Sequence, residues 1–257
     1  MSYIKEYITN VNAEGRKVLS VFLTAGFPSI NGFVNLAKSV LDSGADMIEL
    51  GMPFNNPLAD GPVIQNSSLA AIANGVNYKT IFQFSEKISQ YSPKPVILMG
   101  YANQLVHYGV KDFFTDSLNS GAKGIIIPDV PLEEYNSFFK TKPAPLEAIL
   151  LAAPTSTDAR LKQIDSLSGG FVYCVSIAGT TGSRISSANK IIVKNMRSSI
   201  KKNKMLAGFG ISKPEDIESY SPYCDGVIVG SAVIKMLHEK GTINTLRLIR
   251  SLSNSCR

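Results

Sequence analysis

Short apolar runs recur along the chain at residues 18–23, 47–50, 96–99, 124–127, 148–151, 171–175, 205–207 and 227–229. Between them the apolar positions change to helical spacing. Phe33, Leu36, Ala37, Val40 and Leu41 fall on one helix face, and Phe113, Phe114, Ser117 and Leu118 on another. Short buried runs alternating with amphipathic stretches are the pattern of βαβ units, and strands joined by helices lie parallel. Eight such units, with no composition shift, Pro/Ser-rich linker or low-complexity tract between them, predict one α/β domain over 1–257. The expected architecture is a closed (β/α)8 TIM barrel with extra helices, a doubly wound sheet being the alternative.

The ends of the runs agree with this. Gly26-Phe27-Pro28, Gly51-Met52-Pro53, Gly100-Tyr101, Pro128-Asp129-Val130-Pro131, Ala153-Pro154, Gly208-Phe209-Gly210 and Gly230-Ser231 each follow an apolar run. Unusual backbone conformations therefore collect just after the strands, which in a parallel barrel is the catalytic face. The segment after Leu50 is longer than an ordinary strand-to-helix loop, and structured loops of that length are usually functional.

Composition narrows the class. With 44% hydrophobic, 18% charged and 9% aromatic residues among 257, the chain is neither disordered nor collagen-like nor a disulfide scaffold. The net charge of +6 is spread along the chain apart from Lys201, Lys202 and Lys204, and no nucleic-acid motif accompanies it. An odd count of three cysteines without paired spacing fits a reducing compartment, so the expected location is the cytoplasm, or the plastid stroma for an organelle-encoded chain. The N-terminal stretch has no apolar core of a signal peptide. Residues 18–37 are uncharged but broken by Gly26, Pro28, Asn31, Gly32 and Asn35, which argues against a membrane span.

Several chemistries lack their parts. Two histidines, His107 and His238, are too few for a His-ligated metal site, and no metal is expected. Lys94, Lys123 and Lys204 precede their runs, on the rim opposite to where a Schiff-base lysine is needed. No dinucleotide, P-loop or nucleophile-elbow motif follows a strand.

What remains is a pair of carboxylates and a phosphate cradle. Alternation puts Met47 and Glu49 on one face and Ile48 and Leu50 on the other, so Glu49 points into the barrel if its neighbours meet the helices. An inward glutamate among apolar side chains has its pKa raised and can shuttle a proton near neutrality; the competing reading is a structural ion pair. Asp60 is the second candidate, against a role as the helix N-cap before Pro62. Gly208-Phe209-Gly210-Ile211-Ser212, with Gly230-Ser231 opening a helix after the last run, is where barrels hold phosphate on backbone N–H groups. Tyr173 points inward if Cys174 faces the helices, which makes Cys174 an inert core thiol. The small polar residues from Thr180 to Arg184 suit a lid over residues 179–187.

The segment from Ile48 to Phe54, followed by Pro57-Leu58-Ala59-Asp60-Gly61-Pro62-Val63-Ile64-Gln65, resembles the α subunit of tryptophan synthase. The likeness runs nearly end to end through Phe22-Leu23-Thr24-Ala25-Gly26, Tyr101-Ala102-Asn103, Tyr173, Gly179-Thr180-Thr181-Gly182 and the late glycine pairs. It implies a lyase that cleaves indole-3-glycerol phosphate to indole and glyceraldehyde 3-phosphate. Glu49 matches the acid/base that protonates indole C3 and assists loss of the hydroxyl proton. Asp60 matches the carboxylate that holds the indole N–H. Phe22, Met99, Ile126 and Phe209 would line the indole pocket beside Tyr173; Gly182, Gly210, Gly230 and Ser231 match phosphate contacts, and Thr181 the lid residue near the aspartate. The resemblance implies no metal or organic cofactor in this chain, and a partner β subunit that uses pyridoxal phosphate (PLP) and receives indole within an α2β2 heterotetramer. Here Asn55-Asn56 replaces the usual Ser-Asp, which removes a charge expected to reach a lysine of the β subunit. Three other readings stay open: a sugar-phosphate isomerase or epimerase, a non-catalytic activating subunit, and a stand-alone lyase that releases free indole.

Overall fold

The computed structural model describes residues 2–175, 187–208 and 210–257, with side chains from 190 in the second stretch. Eight strands close into a parallel barrel in chain order: β1 (Val18–Thr24), β2 (Met47–Gly51), β3 (Val96–Met99), β4 (Gly124–Ile126), β5 (Glu147–Ala152), β6 (Phe171–Val175), β7 (Lys204–Gly208) and β8 (Gly226–Val229). Each overlaps one of the expected apolar runs. The doubly wound alternative is overturned because β8 pairs with β1, Val21 beside Val229, which closes the sheet.

Among the described residues the α-helices are α1 (Tyr3–Ala13), α2 (Ile30–Asp42), α3 (Pro62–Ala73), α4 (Tyr78–Tyr91), α5 (Ala102–Tyr108), α6 (Val110–Asn119), α7 (Tyr135–Phe138), α8 (Asp158–Leu167), α9 (Ser187–Ser199), α10 (Pro214–Tyr220) and α11 (Ser231–Ser255). Local chemistry starts several of them: the Asn77 side chain accepts from Thr80 N at 3.0 Å to cap α4, and Pro62 and Pro214 open α3 and α10, where a missing N–H costs nothing. The helix after β8 runs longer than a single short turn, kinked at Gly241. No helix among the described residues is long and apolar enough to cross a membrane.

Alternation along the strands divides the core into two apolar layers. Ile48, Leu50, Val172 and Cys174 pack outward against the helices. Val18, Met47, Ile97, Ile126, Ile149, Phe171, Tyr173, Leu206 and Ile228 fill the barrel. From below, Ile4, Ile8 and Val11 of α1 join that inner layer and stopper the N-terminal end. Glu147 at the start of β5 holds this plug by accepting from Ile4 N at 3.0 Å and from the Ser2 hydroxyl at 2.5 Å. With the bottom sealed, the C-terminal mouth is left as the end where a substrate can enter.

Candidate active site

The strands deliver their inward residues to the mouth in register. Phe22 pairs beside Glu49 and Leu151 beside Tyr173, so two acid–aromatic and apolar–aromatic neighbours lie on the same rim. Above them a cavity opens at the mouth of the barrel. Its walls are mainly apolar, with Phe22, Met99, Leu151 and Tyr173 from the strands, and with Glu49 and Asp60 as the two acids. Gly210, Ile211, Gly230 and Ser231 form the side facing the start of α11. Among the described residues lining this cavity there is no Lys, Arg or His.

Two of the rings occupy space left by glycines at strand ends. A Cβ on Gly51 would lie 2.2 Å from the Phe22 ring, and one on Gly208 would lie 2.5 Å from Tyr173. Both positions face inward by alternation, and only a missing side chain lets a large ring lie there. In the sequence these glycines read as turn residues; their packing against the pocket aromatics is a contact between strands and carries no local signal.

Glu49 is fully buried. Its Oε1 accepts a hydrogen bond from the Ser20 hydroxyl at 2.8 Å, while Oε2 has no hydrogen-bond partner among the described residues. Burial penalises the charged form and pushes the carboxyl up to about 8, the Ser20 hydrogen bond acting in the opposite direction. No ion pair involves Glu49 among the described residues, so the structural ion-pair reading is set aside.

Asp60 sits in the β2–α3 loop, and Gly61, not Asp60, is the N-cap of α3. Its carboxylate accepts from the Tyr101 hydroxyl at 2.9 Å, and the same hydroxyl accepts from Ala59 N at 3.2 Å. The Tyr101 ring stacks on Phe54 with centroids 5.3 Å apart, and Gln104 ties the base of the loop by donating to Pro53 O at 3.0 Å. Partial burial raises Asp60 to about 6, opposed by the Tyr101 hydrogen bond. Burial thus raises both acids, Glu49 further than Asp60, so of the two Glu49 holds its proton to higher pH. Divergent environments for a pair of carboxyls assign one as proton donor and the other as anion.

Of the other expected site residues, Phe22, Met99, Tyr173, Gly210, Gly230 and Ser231 line the cavity. Gly210 has φ +80°, which favours glycine there, and Ser231, the first residue of α11, lines the cavity with its N-cap Gly230. Ile126 is buried in the inner layer beside Met99, its register partner on β3, and Pro128, two residues on, lines the cavity. Thr181, Gly182, Phe209 and the lid at 179–187 up to residue 186 lie outside the described residues. Sequence reading missed Ser20, Tyr101, Leu151 and Ile228. Alternation alone would have found Leu151 and Ile228, which follow Ile149 and Gly226 on the inward face.

Cys174 belongs to the outer layer, where burial pushes its thiol far above the ordinary range, as an inert core residue requires. Among the described residues no group of three or more His, Cys, Asp or Glu is placed to hold a metal ion.

A closed parallel barrel with two carboxyls of unlike proton affinity in an apolar mouth defines an acid–base enzyme of the TIM-barrel class. The family model for the tryptophan synthase alpha chain matches residues 8–255. The chain is 41% identical to the tryptophan synthase alpha chain of Petrotoga mobilis over 93% of its own length and 92% of that protein. It is 38% identical to that of Flavobacterium psychrophilum, over 93% and 96%. A solved structure of Mycobacterium tuberculosis tryptophan synthase superposes with a TM-score of 0.92 at 31% identity, covering 100% of this chain and 98% of that one. The chain belongs to the tryptophan synthase alpha chain family.

Proposed function

We propose that this chain cleaves indole-3-glycerol phosphate to indole and glyceraldehyde 3-phosphate, with Glu49 as acid and base and Asp60 as the anion on the indole nitrogen. The observation that carries the reading is the pair of carboxyls, Glu49 and Asp60, lining one apolar cavity, with burial raising Glu49 further than Asp60. Indole C3 becomes a leaving group only after it gains a proton. The protonated Glu49 supplies it, leaving a carboxylate, and the positive charge that appears on the indole nitrogen lies against the ionised Asp60. The Glu49 carboxylate then takes the proton of the adjacent side-chain hydroxyl. The carbon–carbon bond breaks, its electrons return to the ring, an aldehyde forms, and Glu49 regains its proton. No net proton, water or electron is consumed.

The apolar walls of Phe22, Met99, Leu151 and Tyr173 suit the indole ring, and Gly210, Gly230 and Ser231 suit the phosphate. The positive end of α11 adds a favourable field for that anion. A sugar-phosphate isomerase would use the cradle, but it gives no reason for an apolar wall beside both acids.

The partner reading is a PLP-dependent β subunit docked beside the β2–α3 loop in an α2β2 heterotetramer. Asn55 and Asn56 are exposed there, and Leu58 (81% exposed), Ile72 and Val106 present apolar side chains to solvent nearby. A groove walled by Phe54, Asn55, Ile72, Asn103 and His107 adjoins them. The test is indole release from indole-3-glycerol phosphate by the purified chain, with and without a cognate β subunit. Weak release that rises strongly with β supports the coupled reading. Strong release alone favours a free-indole lyase, and none in either case returns the chain to a regulatory role.

A further inference from the structure

We infer that Ser20 is a positioning residue that decides which oxygen of Glu49 carries the catalytic proton. The inference rests on the assignment of Glu49 as the acid/base and deepens it. Ser20 is fully buried on the inward face of β1, two positions before Phe22, and its register partner on β2 is Met47, two positions before Glu49. The stagger of the two strands brings the hydroxyl against the carboxyl, where it donates to Oε1 at 2.8 Å.

A protonated carboxyl has one carbonyl oxygen and one hydroxyl oxygen. With the Ser20 hydroxyl as donor, Oε1 takes the carbonyl role and the inferred proton resides on Oε2. That atom has no hydrogen-bond partner among the described residues and belongs to a residue lining the cavity, so its proton is left for a substrate. Oε2 is a buried polar atom without a partner, which is costly unless a ligand or the proton's next acceptor meets it. Once the proton has gone to the substrate, the Ser20 hydroxyl also stabilises the carboxylate left behind in an apolar site. One short side chain thus orients the acid and eases its ionisation.

The titratable groups that face Glu49 are Tyr173 from β6 and Asp60 from the β2–α3 loop. Neither carries a positive charge, and among the described residues lining the cavity none does. Ser20 is therefore the group lowering the proton affinity of Glu49, against the burial that raises it.

The experiment compares the wild-type chain with Ser20→Ala and Ser20→Thr. For Ser20→Ala, kcat for indole release should fall about tenfold or more while KM stays within about twofold, because one hydrogen bond to an ionising group is lost and no substrate contact is. The alkaline limb of the pH profile should move upward, since the carboxyl holds its proton more tightly. Ser20→Thr keeps the hydroxyl and should restore the limb.

A second readout needs no turnover: the 13C signal of the Glu49 carboxyl, assigned by its loss in Glu49→Gln, should titrate at higher pH in Ser20→Ala than in wild type. Identical carboxyl titrations would overturn the inference whether or not the chain cleaves the substrate. An unchanged kcat would do the same, as would a loss of rate that tracks a raised KM and a lowered melting temperature with an unmoved limb. If the wild-type chain releases no indole while the carboxyl titrations differ, the hydrogen bond stands and the assigned reaction falls.

Discussion

Replacing Glu49 by Gln removes one proton-binding site from the barrel interior at nearly constant volume, and it should act in opposite directions on activity and on stability. In the native chain the carboxyl is raised from 4.5 to about 8 by burial. Between those values the folded state holds a proton that the unfolded state has released. Stability therefore falls as pH rises across that window, by about 1.4 kcal/mol per pH unit at full strength. The whole shift corresponds to about 5 kcal/mol, which relaxation of the surroundings reduces to about 3 kcal/mol. In Glu49→Gln that loss is absent. The amide carries its own cost in the buried site, but that cost does not depend on pH, so the informative quantity is the difference between variant and wild type at two pH values. Relative to wild type, the variant should gain about 3 kcal/mol between pH 5 and pH 8.5, which for a chain of this size is on the order of 10 °C in melting temperature. Thermal melts followed by circular dichroism at the two pH values measure it. The same variant should lose at least about a thousandfold in kcat for indole release, since no group remains to protonate C3. A gap in melting temperature that is the same at both pH values would refute the raised proton affinity. Substantial residual cleavage would remove Glu49 from the acid/base role.

The wild-type rate should rise through about pH 6 as Asp60 ionises and fall through about pH 8 as Glu49 loses its proton, a bell read from kcat against pH. In Asp60→Asn the acid limb should vanish and kcat should drop by about 10²–10³, the usual worth of one electrostatic contact to a developing charge; an intact acid limb would exclude Asp60 as its source. Gly208→Ala should push a methyl into Tyr173 and destabilise the fold by about 1–3 kcal/mol while raising KM, measured by denaturant melts and steady-state kinetics; a neutral effect on both would show that the ring does not need that space. Asn56→Asp should raise the activity of the complex with a β subunit more than that of the isolated chain, and equal effects on both would rule out a coupling role.

Much of the barrel was legible in the sequence because its signals are local. Apolar runs of three to six residues and the i, i+3, i+4, i+7 stripe of α2 are set by side-chain direction along one element, and they remain readable before any element meets another. The same alternation turned Glu49 and Tyr173 inward and Cys174 outward. The candidate role of Asp60 was different. Its spacing before Pro62 allowed an N-cap, and only the contact with Tyr101, 41 residues away in the chain, showed where the carboxylate goes.

The sequence by itself determined the order of elements, the faces they bury and the inward direction of Glu49, because each is encoded in the neighbours of a residue. The tertiary structure decided how those acids behave. The stagger of β1 against β2 set Ser20 under Glu49, glycines on β2 and β7 opened space for Phe22 and Tyr173, and Tyr101 bridged α5 to the loop that carries Asp60. A proton affinity depends on everything within a few ångströms of the group, and in a closed barrel those surroundings are assembled from segments far apart in the chain.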